Sequence, residues 1–353
     1  MGLNVVEIKP GKTSQEELRR LRSRPLVAIF ILFGGIAALL ISVAASISFG
    51  AADINFKTVW TGVLHFNPDD TSHQIIQQLR MPRAIAAALV GAFLAVSGAI
   101  MQGMTRNPLA SPSLMGVTAG SAFTIAIAFA FFPGTSHVGL MIWSFAGAGL
   151  GACLVFIVGS LSKGSLTPVK LALAGSAVTA LLHSISSAIA IHLDVAQDIS
   201  FWYAGGVAGT KWISIKLMLP VAVIGLCLAF ILSRSITILS LGEDIAKGLG
   251  QRTVLVKVLG TIVVLLLTGA AVSVAGSVGF IGLVIPHITR FLVGVDYRLI
   301  LPCAAVLGAL LLVLADLGAR MINPPFETPV GAITAIIGVP FFLYLARRER
   351  GGL

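Results

Sequence analysis

Charge is scarce in this chain, and paired cysteines, metal-binding motifs and nucleotide loops are missing from it. Only 11% of its 353 residues are charged, against roughly a quarter in an average soluble domain, so a water-facing surface of ordinary extent is excluded. The three cysteines, Cys153, Cys227 and Cys303, lie singly in separate apolar runs. They have neither zinc nor disulfide spacing and read as small packing residues. The six histidines, His65, His73, His137, His183, His192 and His287, include no H-E-x-x-H and no i, i+4 pair, and no G-x-S-x-G elbow occurs. The common metalloprotease and serine-hydrolase arrangements are thereby excluded. Gly11-Lys12-Thr13 resembles the end of a phosphate loop, but Val6 stands where its first glycine belongs and no strand precedes it, so no nucleotide site is expected.

What is abundant is apolar sequence. The chain is 57% hydrophobic, and the apolar residues fall into ten runs near the roughly 20 residues needed to cross about 30 Å of hydrocarbon. They extend approximately from Leu26 to Phe49, Ala84 to Met104, Leu114 to Phe132, Gly139 to Leu161, Val169 to Ile191, Ile213 to Leu232, Val254 to Val274, Phe280 to Val293, Leu299 to Ala319 and Val330 to Ala346. The fold class this predicts is an all-α polytopic membrane protein with about ten transmembrane helices. One membrane domain over 26–346 is expected, with an N-terminal tail at 1–25 and a C-terminal tail at 347–353. The eighth run is short and reads as a broken or re-entrant helix, tolerated only where protein or a wet cavity satisfies the backbone. Gly147-Ala148-Gly149-Leu150-Gly151 carries a small-xxx-small pattern that lets helices approach closely.

With ten spans both tails share one side, and that side collects eighteen of the 24 Lys and Arg residues. Positively charged loops stay cytoplasmic, so both termini are expected inside, and the net charge of +10 needs no nucleic acid to explain it. The basic lead before Pro25 is longer than the lead of a secretory signal. Its Gln15 to Arg24 stretch is expected to be helical and to lie on anionic head groups, making membrane lipid a partner. The outer side keeps six basic residues, among them Arg80, Arg83 and Arg320. From the residues alone these either meet an acidic partner, snorkel to phosphate or, for Arg320, pair with Asp316 one turn earlier. Between the sixth and seventh spans, Ser240 to Gly250 reads as a short helix with a serine cap, acids in its first turn and glycines to stop it. It is either a docking element or a solvated connector.

The order of motifs makes the reading specific. Arg80-Met81-Pro82-Arg83, Gly91 to Gly98, Gln102 followed by Arg106-Asn107-Pro108-Leu109-Ala110, Leu171 to Gly175, Leu241-Gly242-Glu243, Gly279 to His287, and Ala315-Asp316 with Arg320 run in sequence from residue 80 to the C-terminal tail. In this the chain resembles the FecCD-type permeases of iron-siderophore and vitamin B12 ABC importers.

The resemblance implies a type II importer permease that is not an enzyme and holds no cofactor, with ATP used by cytoplasmic ATPase subunits. It implies a solute-binding protein outside, a second permease subunit, and an iron-siderophore substrate crossing the bacterial cytoplasmic membrane. Arg80, Arg83 and Arg320 would dock the binding protein. Leu241, Gly242, Glu243, Asp244 and Gly248 would form the coupling element for the ATPase. Leu109 with Pro168 and Val169, in the loop before the fifth span, would line the inner gate, and Met101, Gln102, Met104 and Trp202, with Tyr203 beside it, would line the pathway. Arg106 and Ser111 stand where vitamin B12 permeases carry acids, which favours siderophore over vitamin B12 or haem. An ion-driven transporter would instead need an intramembrane carboxylate, for which Asp316 is the candidate.

Overall fold

The computed structural model describes residues 23–50, 54–161, 168–323 and 326–350, and among them every regular element is helical. The expected helix from Gln15 to Arg24 lies almost wholly outside the described residues. In chain order the helices are α1 (Pro25–Ser48), α2 (Phe56–Leu64), α3 (Thr71–Ile75), α4 (Met81–Thr105), α5 (Val117–Phe131), α6 (His137–Ser160), α7 (Pro168–His192), α8 (Ala196–Ala204), α9 (Trp212–Ser240), α10 (Glu243–Gly248), α11 (Thr253–Ala275), α12 (Ile281–Val293), α13 (Tyr297–Ile322) and α14 (Val330–Arg350). Seven are long and apolar enough to cross a membrane, and α5, α12 and α14 are shorter apolar helices. Each of the ten apolar runs in the sequence thus becomes one helix. The short elements α2, α3 and α8 were not marked by the apolar pattern, because they lie between the runs and carry mixed residues.

Helix α4 is the axis of the bundle. It packs against α13, α11, α9 and α12, while α5, α6 and α7 form a second group and α1 lies outside against α13. The composition of α4 explains this place, since Gly91, Ala95, Gly98 and Ala99 keep its surface thin. A Cβ at Gly91 would sit 2.2 Å from the Gly308 carbonyl oxygen, and one at Gly98 would sit 1.8 Å from that of Gly282. Neighbouring helices therefore touch backbone to backbone, the contact that small residues allow where lipid supplies no hydrophobic drive. The same holds between α5 and α6, where a Cβ at Gly147 would lie 2.3 Å from the Gly120 carbonyl oxygen, as the small-xxx-small pattern predicted. Of the cysteines, Cys303 packs inside with its thiol against the Ala28 carbonyl, while Cys153 and Cys227 are exposed on the bundle surface, so only the first is a packing residue.

The eighth run forms one short, unbroken helix, and the break in the chain lies just before it. Residues 276–280 are not helical, and Phe280 takes a left-handed φ of 67° before α12 begins. The break is covered by the end of α8. The Gly206 N–H donates to the Ala275 carbonyl at 2.8 Å, and the Trp202 carbonyl lies where a Cβ at Gly276 would be, 2.5 Å away.

The crossings yield a stability prediction. Gly91→Ala forces a methyl into a carbonyl and should lower stability by about 1 to 3 kcal/mol, whereas Gly149→Ala, with nothing within 4 Å, should be neutral or slightly stabilising. Thermal unfolding of the detergent-solubilised protein reads both, and equal midpoints would contradict the close approach.

Candidate functional site

Two polar constellations lie at opposite ends of α4. At its N-terminal end, called here the arginine end, a π-helical turn over Ile76–Arg80 leads into α4, and the Gln77 carbonyl accepts from the Trp212 indole N–H at 2.7 Å. Arg80 closes that turn and Arg83 sits in the first turn of α4, so the two reach different neighbours. Arg80 donates to the Ile47 and Ser48 carbonyls at 2.9 and 2.8 Å. Arg320 donates to the Ser46 carbonyl and hydroxyl and to the Phe49 carbonyl. These are the last carbonyls of α1, which have no partner within the helix and sit at its negative end.

Arg83 grips the fully buried Asp316 through Nε and Nη2 at 3.0 and 2.9 Å, and its Nη1 donates to Glu327 at 2.5 Å. Arg320 also reaches Asp316 at 3.3 Å. All three guanidiniums are buried. The structure thus turns them into the protein, where the docking expectation had them standing outward. Asp316, the carboxylate an ion-driven mechanism would need, lies between two arginines as a structural anion.

At the other end, called the connector end, α9 and α11 are joined by α10. Ser240 does not cap this helix: it is the last residue of α9, and its hydroxyl donates to the Thr237 carbonyl. The cap is Gly242, extended at a φ of 140° that a side chain rarely adopts, and Gly250 leaves the connector with a φ of 77°. Glu243 accepts from Lys257 of α11 at 2.7 Å and pairs with Lys247 at 3.2 Å. The hydrogen bond from Lys257 holds the Glu243 carboxyl below the usual carboxylate range. Arg106 ends α4 in a left-handed conformation, and its guanidinium lies 3.9 Å from where a Gly242 Cβ would be, which brings the loop after α4 to the connector.

Above this pair lies a cavity of about 540 Å³ between α4, α6, α7 and α11. Met101, Met104, Met115 and Phe156 give it apolar walls, and Glu243 and Lys257 line its polar edge. Of the residues expected along the pathway, Met101 and Met104 meet here. Gln102 does not: it is buried toward α12, donating to the Leu283 carbonyl and accepting from Arg290 at 2.8 Å. Trp202 lies at the other end, beside the break before α12. Leu109 is half-buried with its N–H on the Asn107 side chain. Pro168 and Val169 open helix α7 and do not form a loop. Among the described residues no group of three or more His, Cys, Asp or Glu side chains could hold a metal ion.

Two residues were missed from the sequence, Lys257 and Glu327. Lys257 was counted only as an inner-side charge, and Glu327 sits in a proline-rich connection that nothing links by spacing to Arg83. No local signal points to either, because their partners lie 14 and 244 residues away.

Comparison with known proteins gives a consistent picture. The sequence model of the FecCD transport family matches residues 38–348. The iron(3+)-hydroxamate import system permease protein FhuB of Bacillus subtilis is 65% identical over 97% of this chain and 89% of its own length. The iron-uptake system permease protein FeuB of the same organism is 48% identical over 89% and 94%. A solved inward-facing structure of a metal-chelate type ABC transporter superposes with a TM-score of 0.78 at 32% identity, covering 90% of this chain and 99% of that one.

The Glu243 pair carries a pH prediction. A carboxyl whose folded pKa is depressed adds stability above its unfolded pKa and loses it as the pH falls through the folded value. Wild type should therefore exceed Glu243→Gln near neutral pH by about 0.2 to 1 kcal/mol, the range for exposed pairs. The two melting midpoints should converge in acid; a constant gap across pH would contradict the linkage.

Proposed function

Because the chain belongs to the FecCD transport family, we propose that it is the membrane-spanning permease subunit of an ABC importer that carries an iron(III)-hydroxamate siderophore across the bacterial cytoplasmic membrane. It is a multi-pass permease and not an enzyme, and the permease relatives it resembles support this. The observation that carries the substrate class is the close likeness, over nearly the whole chain, to the iron(3+)-hydroxamate permease. ATP is used by separate ATPase subunits, this chain holds no cofactor, and a second permease subunit completes the pathway. The basic-residue count supports both termini inside, with the arginine end outside and the connector end facing the ATPase.

Helix α10 with Leu241 and Gly242 serves as the coupling element. Its support is mechanical: Glu243 ties α10 to α11, and both residues of the tie border the cavity that Met101 and Met104 line. A push on α10 is thus delivered to a cavity wall. Leu109, Pro168 and Val169 form the inner constriction, at the end of α4 and the start of α7, where apolar side chains can close a path by excluding water. Trp202 belongs to the outer end of the path. The arginine end receives a solute-binding protein, steered by complementary charge more than held by it. Since the cargo arrives wrapped in its chelator, the pathway needs no metal-ligating cluster.

Reconstitution with the ATPase, the second permease subunit and the binding protein tests this reading. Uptake of radioiron as a trihydroxamate chelate should require ATP and survive collapse of ion gradients. Uptake of cobalamin or haem in its place would overturn the substrate class, and ATP-independent uptake would overturn the importer class. Gly242→Val, which cannot hold the extended turn, should leave ATP hydrolysis running while uptake falls; retained stoichiometry would remove α10 from coupling.

A further inference from the structure

The arginine cluster includes one half-exposed ion pair that an incoming protein could exchange. Arg80 and Arg320 are committed to the carbonyls that end α1, and the fork of Arg83 holds Asp316, whose side chain is 0% exposed. The remaining nitrogen of Arg83, Nη1, meets Glu327, whose side chain is 51% exposed. Glu327 lies in the connection between α13 and α14, beside Phe326, which is 72% exposed. An exposed aromatic next to a replaceable ion pair is a suitable anchor for a protein surface. With Glu327 in place the three arginines face two carboxylates, and without it they face one, so its departure opens a site for one carboxylate.

We infer that Glu327 is an internal stand-in for an acidic side chain of the solute-binding protein. It occupies Arg83 Nη1 in the free permease and yields that place on docking. This rests on the proposed docking at the arginine end and narrows it: Arg83 is the arginine that exchanges partners, while Arg80 and Arg320 fasten α1. The stand-in keeps a buried guanidinium satisfied between transport cycles. It also weakens the docked complex, because each docking event must displace it, and so it hastens release of the emptied binding protein.

Binding of the solute-binding protein to the permease–ATPase complex in nanodiscs tests the inference, with Glu327→Gln compared to wild type. The variant should bind roughly twofold to fivefold more tightly at low salt, the scale of one exposed ion pair. The gain should shrink as salt screens the surface, and the thermal midpoint of the free permease should fall only slightly, as expected for loss of the same single ion pair. Unchanged or weaker binding would overturn the stand-in role. A second measurement separates that outcome from failure of docking itself: Phe326→Cys, labelled with a membrane-impermeant maleimide, should be protected when the binding protein is added. No protection removes docking from this end of the molecule. Protection together with unchanged affinity in Glu327→Gln removes the stand-in alone.

Discussion

The contact on which the structure depends is the backbone-to-backbone crossing of α4 with α13 and α12. Where glycine meets a carbonyl at this distance the helices cannot slide, and the crossing becomes a fixed origin from which both polar ends are measured. Eight residues separate Arg83 from Gly91 on α4, and eight separate Gly308 from Asp316 on α13. In two helices running oppositely, each interval is about 12 Å of rise, so the arginine and the aspartate arrive at the same level and pair. Toward the other end, Gly98 meets Gly282, and Gln102 one turn on reaches Leu283 and Arg290. Side chains that are absent at the crossing therefore position the side chains that are present at the ends.

The sequence was most legible where physics is local. A run of apolar residues long enough to cross the bilayer makes a helix whatever its neighbours do, because hydrocarbon leaves no other way to satisfy its backbone, and all ten runs became helices. The small-residue pattern of Gly147 and Gly151 likewise foretold close packing. Local rules failed at boundaries and over distance. Ser240 had the type of a cap but was absorbed into α9, since that helix continues past the apolar run and leaves Gly242 to turn the chain. Pro168 looked like loop but starts α7, where its fixed φ suits the first turn. Near neighbours expected to share a role, Arg80 with Arg83 in docking and Met101 with Gln102 along the pathway, were each split by the fold: one member faces one helix and the other faces another.

Charge inside the bundle follows a consistent logic. Arg83 and Arg320 share Asp316, with Glu327 as the second carboxylate on Arg83, Arg80 and Arg320 cover orphan carbonyls, and Arg290 lies on the amide of Gln102 at the C-terminal end of α12, where a cation is favoured. Each cation answers a need created by the backbone or by another charge. This is why residues that a linear reading marks as available to a partner are mostly engaged at home, and why the carboxylates left half-exposed, Glu243 and Glu327, stand at the rims.

Helix α1 gives the arrangement a time order. The carbonyls at its end are held in part by Arg80 and in part by Arg320, 274 residues further along the chain. At synthesis rates of roughly 5 to 20 residues per second, that partner arrives about 14 to 55 s later. Until then Arg80 is the only one of the two arginines holding the end of α1, and the rim at the arginine end can be completed only when α13 has entered the membrane. A helix made well before α13 is thus locked in place only once α13 arrives.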